Sequence, residues 1–192
     1  VFVFGDHGLF QLYKLKKYEL NHPIDESTFQ ASAIANHYKI KEYKPYEPPP
    51  LLQIDTMAPY WKHLTIDGDS IGLDDLKGKL VLADFFYKSC YPCMLSIPDL
   101  QWLHETYYDR GLRVIGLDPY DNEDANLKDF LSKRGVTYPI LYSNREIAKS
   151  YQVTGYPTIY LIDEHGKIIH RHKGYGKGMK KVLKKAIESH LK

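Results

Sequence analysis

Cysteine is nearly absent from this chain, with two residues among 192. A single possible pair cannot make a disulfide-stapled scaffold, so the fold must stand on its core rather than on crosslinks. Long apolar runs are missing as well, and no stretch approaches the roughly 18 residues that a membrane helix needs. Neither sign of charge dominates: 26 basic and 24 acidic residues leave a formal net charge of +2. No long basic run marks a nucleic-acid surface, so nucleic acid is not an expected partner. The opening Val1-Phe-Val-Phe4 lacks an initiator methionine. It also lacks the basic start, apolar middle and small-residue cleavage site of a signal peptide. The expectation is a fragment of a longer precursor, with any address signal or membrane tether lying outside it.

What is plentiful is aromatic. Phe, Trp and Tyr make up 14% of the chain, with 17 tyrosines. That supply, at this length, suffices for one packed domain and an appendage. Both cysteines fall in the stretch Leu80-Val-Leu-Ala-Asp-Phe-Phe-Tyr-Lys-Ser-Cys-Tyr-Pro-Cys-Met-Leu-Ser-Ile-Pro98. The apolar β-type run from Leu80 to Tyr87 leads into them, and a helix-compatible segment from Met94 to Tyr108 leads away. A strand therefore delivers Cys90 to the start of a helix. There the unpaired backbone N–H groups and the positive end of the helix dipole favour thiolate over thiol. Two intervening residues let Cys93 reach Cys90 and close a small reversible disulfide. The chemistry indicated is thiol–disulfide exchange, with Cys90 as an exposed nucleophile and Cys93, one turn further in, as the resolving thiol. Pro92 stiffens the turn between them.

The rest of the chain frames this stretch. Val1–Phe4 and Leu9–Leu15 alternate around Gly5-Asp6-His7-Gly8 as a β-hairpin. Ser27–Asn36 is a short helix capped by Ser27 or Asp25. Residues 1–43 thus form a hairpin segment, expected to be the remnant of a larger upstream domain. Phe10-Gln-Leu-Tyr-Lys-Leu15 and Asn21-His-Pro-Ile-Asp25 with Phe29 resemble the last strands of a LolA-type half-barrel. Residues 44–52, containing Lys44-Pro-Tyr-Glu-Pro-Pro-Pro50, read as a stiff linker. From residue 53 the elements sharpen. Strands are expected at Tyr60–Ile66, Leu80–Tyr87, Leu112–Leu117 and Tyr138–Tyr142, with an antiparallel hairpin of Thr158–Asp163 and Lys167–Arg171. Helices are expected at Asn122–Arg134, ended by Gly135, at Arg145–Tyr151 and at Met179–Leu191. The last should turn Val182, Leu183, Ala186, Ile187 and Leu191 inward and Lys177, Lys180, Lys181, Lys184 and Lys185 outward. The order β-α-β-α followed by β-β-α specifies an α/β domain with a central mixed sheet, helices on both faces and an antiparallel edge.

Residues 53–192 resemble the thioredoxin fold, and most closely thiol–disulfide oxidoreductases of the TlpA/ResA type. Cys90-Tyr-Pro-Cys93 looks like the redox motif. Asp84, six residues before it, stands where thioredoxins carry a buried acid, and Pro98 stands where they kink the first helix. Gly155-Tyr156-Pro157-Thr158 looks like the cis-proline loop, and Ala58-Pro59, Asp67-Gly68 and Leu76-Lys-Gly-Lys79 are similar to the start of TlpA-type domains. The resemblance implies a protein disulfide oxidoreductase that needs no metal or cofactor. Its partners would be protein disulfides or dithiols and an upstream electron donor. It would work as a reductant in the periplasm or cell envelope. Asp84 would lie beneath the sulfurs, its pKa raised by burial, to accept the proton that Cys93 must lose. Pro157 would be cis, and Tyr156 would offer backbone groups to an extended substrate. Tyr91 and Pro92 would touch the same substrate.

Some positions depart from the family pattern. The tryptophan that usually precedes the first cysteine is Ser89, leaving Tyr87, Tyr91 and Tyr156 as candidates for an apolar cover. The glutamate that TlpA/ResA proteins often carry three residues past the second cysteine is Ser96. Among the remaining polar groups, His170 and His172 share a strand face, which a solvated surface explains better than a metal. His165 lies at the hairpin turn. Asp118, Asp121, Glu123 and Asp124 read as the acidic start of a helix. Two other functions use the same thiols. One is copper delivery, although copper chaperones of related fold usually place three residues between their cysteines. The other is a peroxiredoxin-type peroxidase, which needs a threonine where Tyr87 stands.

Overall fold

The computed structural model describes residues 2–6, 9–13, 16–18, 20–30, 45, 47–121, 126–143 and 145–191. The chain divides into two units, 1–46 and 47–192. In the first, β1 (Phe2–Asp6) and β2 (Leu9–Tyr13) form an antiparallel hairpin with Gly5 opposite Phe10. Where a helix over Ser27–Asn36 is expected, a single 3-10 turn spans Glu26–Phe29. Asp25 caps it by accepting the N–H of Ser27 at 2.8 Å. Residues 31–36 of that expected helix lie outside the described residues.

The second unit is built on a five-stranded sheet. Two short antiparallel strands come first, β3 (Lys62–Leu64) and β4 (Ser70–Gly72), followed by a 3-10 turn at Leu73–Leu76. The sheet strands are β5 (Leu80–Phe85), β6 (Leu112–Asp118), β7 (Ile140–Tyr142), β8 (Thr158–Ile162) and β9 (Ile168–Lys173), in the spatial order β7-β6-β5-β8-β9. β5, β6 and β7 run parallel, and β8 and β9 are antiparallel to their neighbours. The helices are α1 (Tyr91–Tyr107), α2 (Leu127–Ser132), α3 (Arg145–Ser150) and α4 (Met179–Glu188). Residues 122–125, at the start of the helix expected over Asn122–Arg134, lie outside the described residues. Gly135 ends α2 as expected, at φ 72°, with the Val136 N–H returning to the Leu131 carbonyl.

All six residues of β5 are buried, because the sheet is covered on both faces. Leu80, Leu82 and Phe86 join Leu112, Val114, Ile159 and Leu161 beneath Ile97, Leu100, Leu103, Leu183 and Ile187. On the other face Val81, Ala83 and Phe85 meet Ile115, Leu117, Tyr160 and Ile162 under Trp61, Ile147 and Tyr151. The rings of Phe85, Tyr151 and Tyr160 pack there at 5.0–6.3 Å between centroids. Leu51 and Leu52 already lie against this face, held by hydrogen bonds from Arg171 to both their carbonyls.

One expected core residue is misplaced. Val182, read as inward, is 43% exposed. Helix α4 buries the narrower stripe Met179, Leu183 and Ile187, spaced four apart, and Val182 sits on its flank. Gly116 of β6 leaves no room for a side chain. A Cβ there would meet Ile140 Cδ1 at 2.5 Å and Phe86 Cε1 at 2.8 Å. Gly116→Ala is therefore expected to destabilise the fold by about 1–3 kcal/mol, through overpacking against Phe86. Thermal melts check this, and an unchanged midpoint would show that the Phe86 ring can step aside.

Candidate active site

Three connecting segments meet at one end of the sheet. β5 and β6 are parallel and both finish there, while β8, antiparallel to β5, begins there with Thr158 opposite Phe85. Beyond β5 the chain runs through Phe86–Ser89 to the cysteines. Beyond β6 lies the turn 119–121, and ahead of β8 the loop 155–157. Thus Pro157, adjacent to Thr158, is brought to the segment that leads into Cys90.

Helix α1 starts at Tyr91, earlier than the Met94 that the pattern predicts, and Cys90 is its N-cap. Tyr91 and Pro92 occupy the first turn, where the missing N–H of proline costs nothing. Sγ of Cys90 accepts the N–H of Cys93 at 3.2 Å, so the sulfur stands in for a capping oxygen. The two cysteines are joined as a disulfide with 5.2 Å between their Cα atoms. Cys90 is not the exposed thiol that the sequence suggests. It is 4% exposed and Cys93 1%, both lying in the buried cluster that contains Phe86 and Ile97 and against which Met94 and Tyr156 pack. The members of the motif that face solvent are Tyr91, at 72% exposure, and Pro92. Pro98 lies inside α1. Ser96, which replaces the family glutamate, is buried and donates its hydroxyl to the Cys93 carbonyl at 2.7 Å. It brings no charge to the pair.

Strand alternation puts Asp84 on the same face as Leu82, Phe86 and the cysteines. Its side chain is buried, and Oδ1 has no hydrogen-bond partner among the described residues. Burial pushes this carboxyl up to about 8, so it is neutral over most of the physiological range. Tyr138 is buried nearby. Its phenol is raised well above the usual value by burial first and then by the charge of Asp84.

The cover over this end of the sheet is aromatic. Tyr87, Tyr120 and Tyr156 contact one another edge to face, with centroids 5.2, 5.2 and 5.6 Å apart. Of the three candidates for this cover, Tyr87 and Tyr156 belong to it and Tyr91 is exposed to solvent instead, while Tyr120 was not among them. Arg145 lies 4.9 Å above the Tyr120 ring. The Tyr156–Pro157 peptide bond is cis. The Pro157 carbonyl accepts the N–H of Gly174 at 2.7 Å, and Thr158 Oγ1 donates to the Gly155 carbonyl at 2.7 Å.

The acidic residues after β6 differ most from expectation. Asp118 and Asp121 do not start the helix: α2 begins at Leu127 with Asn126 as its N-cap. Asp118 is fully buried instead, and its Oδ1 accepts the N–H groups of Tyr120 and Asp121, both at 2.9 Å. Asp121 Oδ2 accepts the N–H of Lys88 at 2.7 Å. Glu123 and Asp124 lie outside the described residues. The one signal that could have found Asp118 is register, since it continues the Val114–Gly116 face of β6. His170 also differs: it is half-buried rather than solvated, with its pKa lowered by burial first and then by His172. Among the described residues no group of three histidine, cysteine or acidic side chains is arranged to hold a metal.

Comparison with known proteins agrees with this geometry. The AhpC/TSA family matches residues 54–171. The thiol-disulfide oxidoreductase ResA of Bacillus thuringiensis subsp. konkukian is 32% identical over 142 residues, covering 73% of this chain and 78% of its own. The thioredoxin-like protein YneN of Bacillus subtilis is 31% identical over 124 residues, 64% of this chain and 73% of that one. Among solved structures, a thiol:disulfide interchange protein of the thioredoxin family from Chlorobium tepidum TLS is 26% identical. It superposes with a TM-score of 0.64 over 72% of this chain and 97% of its own.

Asp84 makes stability depend on pH in a defined direction. Unfolded, the carboxyl ionises near 3.8, whereas folded it keeps its proton up to about 8. Between those values the folded state binds the extra proton, so its contribution to stability falls as pH rises from about 4 to about 8. Asp84→Asn stays neutral throughout and is expected to gain on the parent across that window. Urea unfolding of the oxidised proteins at several pH values measures the difference, and parallel profiles would contradict it.

Proposed function

This chain belongs to the AhpC/TSA family, and we propose that within it the protein is a thiol–disulfide oxidoreductase that exchanges electrons with protein disulfides. The observation that carries this reading is the Cys90–Cys93 disulfide at the N-cap of α1, with the buried Asp84 on the same sheet face. In the reduced protein, the Cys90 thiolate attacks a partner disulfide, forming a mixed disulfide and expelling one partner thiolate. Cys93 then gives up its proton and attacks Sγ of Cys90, which expels the second partner thiolate and closes the Cys90–Cys93 bond. Two electrons pass to the partner, and the protons shed by the two cysteines end on its two thiols. Asp84 is read as the first acceptor of the Cys93 proton, a role that falls to its ionised form, the minor one below about pH 8. Its pKa of about 8 lies close to that of an ordinary thiol, so the transfer costs little free energy.

The substrate side of the site is read from Tyr91, Pro92, Tyr156 and Pro157. Tyr91 is exposed beside the sulfurs. No backbone hydrogen bond among the described residues uses the N–H or carbonyl of Tyr156, which leaves both to pair with an extended chain. On the TlpA/ResA likeness, the direction is reductive and the setting the periplasm or cell envelope. An upstream donor then returns two electrons to the disulfide. No helix among the described residues is long and apolar enough to cross a membrane.

Cys90→Ser is expected to abolish reduction of insulin disulfides, and Cys93→Ser to accumulate a covalent mixed disulfide that a reductant releases. Full activity in both variants would end the proposal. A reduction potential near about −270 mV supports the reductive direction, and one near about −120 mV reverses it. Rapid peroxide turnover without a protein substrate would favour the peroxidase reading, against which Tyr87 stands three residues before Cys90. Stoichiometric Cu(I) binding that protects both thiols from alkylation would favour metal delivery.

A further inference from the structure

The turn after β6 is joined to the redox loop by a chain of hydrogen bonds that the exchange reaction itself does not require. Asp118 closes β6, and its backbone carbonyl accepts the N–H of Ser143, which ties it to the end of β7. Its buried carboxyl gathers the N–H groups of Tyr120 and Asp121 on Oδ1, while Oδ2 has no hydrogen-bond partner among the described residues. Burial first, and then the neighbouring Asp121 carboxyl, raise the Asp118 pKa above the usual carboxylate range. Asp121, positioned in this way, accepts the N–H of Lys88 across 33 residues of sequence. Lys88 lies inside the turn that the Cys90 N–H closes on the Tyr87 carbonyl at 3.1 Å. One carboxylate therefore holds, from outside, the corner of the turn that sets Cys90 at the head of α1.

We infer that Asp121 is a positioning residue for the redox cysteine: its carboxylate, fixed by Asp118, anchors the Lys88 backbone and so keeps Sγ of Cys90 at the N-cap of α1. The inference rests on the reading of Cys90 and Cys93 as the exchanging pair. It also gives the acid a role opposite to its bare electrostatics. A negative charge close to a thiolate raises the thiol pKa, so removing that charge alone would lower it. If Asp121 acts by positioning, removing it detaches the sulfur from the helix N–H groups, and the thiol pKa rises. The sign of the change separates the two.

The test compares Asp121→Ala, which lacks both charge and acceptor, with Asp121→Asn, which lacks only the charge. Two quantities are read: the rate of insulin disulfide reduction, and the pH midpoint of iodoacetamide alkylation of Cys90 in a Cys93→Ser background. Asp121 is only half-buried, so both variants should fold, and thermal melts on the same samples verify it. For Asp121→Ala the expected result is an exchange rate lower by about tenfold, the scale of a modest misplacement of a reacting group, with the midpoint raised. Asp121→Asn should recover most of the rate. An unchanged or lowered midpoint in Asp121→Ala overturns the proposal, as does an Asp121→Asn protein as slow as Asp121→Ala. If the parent protein shows no disulfide exchange, the functional reading fails. If the parent is active and Asp121→Ala equals it, only the positioning role fails.

Discussion

The site depends on β5 being hydrogen-bonded along both edges. It pairs parallel with β6 and antiparallel with β8, and all six of its residues are buried. A strand held in this way ends at a fixed point, so the residues that follow it inherit a fixed origin. The same pairing brings the end of β6 and the start of β8 to that point. Three loops distant in sequence thereby converge without any contact of their own having to bring them together. Alternation along the strand sorts the side chains: Phe85 goes to the aromatic cluster under Trp61 and Tyr151, and Asp84 and Phe86 go to the face that carries the sulfurs.

That arrangement sets two effects against each other at Cys90. Burial disfavours a thiolate, and the helix N-terminus favours it. A helix end contributes about 0.3–1 kcal/mol to an exposed charge and up to about 2 in a partly buried geometry. Each pKa unit corresponds to about 1.4 kcal/mol, so the helix end can offset roughly one unit of desolvation. A second negative charge on the same face would tip the balance towards the thiol. Asp84 avoids this by remaining protonated to about pH 8, because its surroundings are apolar. The buried acid is tolerated beside the sulfurs because it is neutral there. Ser96 keeps the same region uncharged, its hydroxyl being spent on the Cys93 carbonyl.

The aromatic residues divide into two groups with different duties. Phe85, Tyr151 and Tyr160 are structural, and the two hydroxyls are used internally: Tyr160 donates to the Tyr151 carbonyl and Tyr151 to that of Pro59. Tyr87, Tyr120 and Tyr156 close the reactive end of the sheet, each supplied by a different loop. Composition shows many tyrosines but cannot divide them in this way, since the division follows from which loop ends lie side by side.

Read alone, the sequence determined those features that arise between near neighbours in the chain. These include the strand that runs into Cys90, the helix that leaves it, the reach of Cys93 back to Cys90, the glycine that ends α2, and the order of elements that makes a mixed sheet. All depend on backbone preference and periodicity over a few residues, and these act in the same way wherever the segment lies. Only the tertiary structure decided the inward turn of Cys90, the exposure of Val182, the half-burial of His170 and the change of Asp118 and Asp121 from helix start to redox-loop anchor. Cys90 lies in a cluster that also takes in Tyr156 from the loop before β8, and Asp121 accepts the Lys88 N–H from the loop after β5. Burial and hydrogen bonding depend on what the folded chain brings alongside, and no local pattern records that.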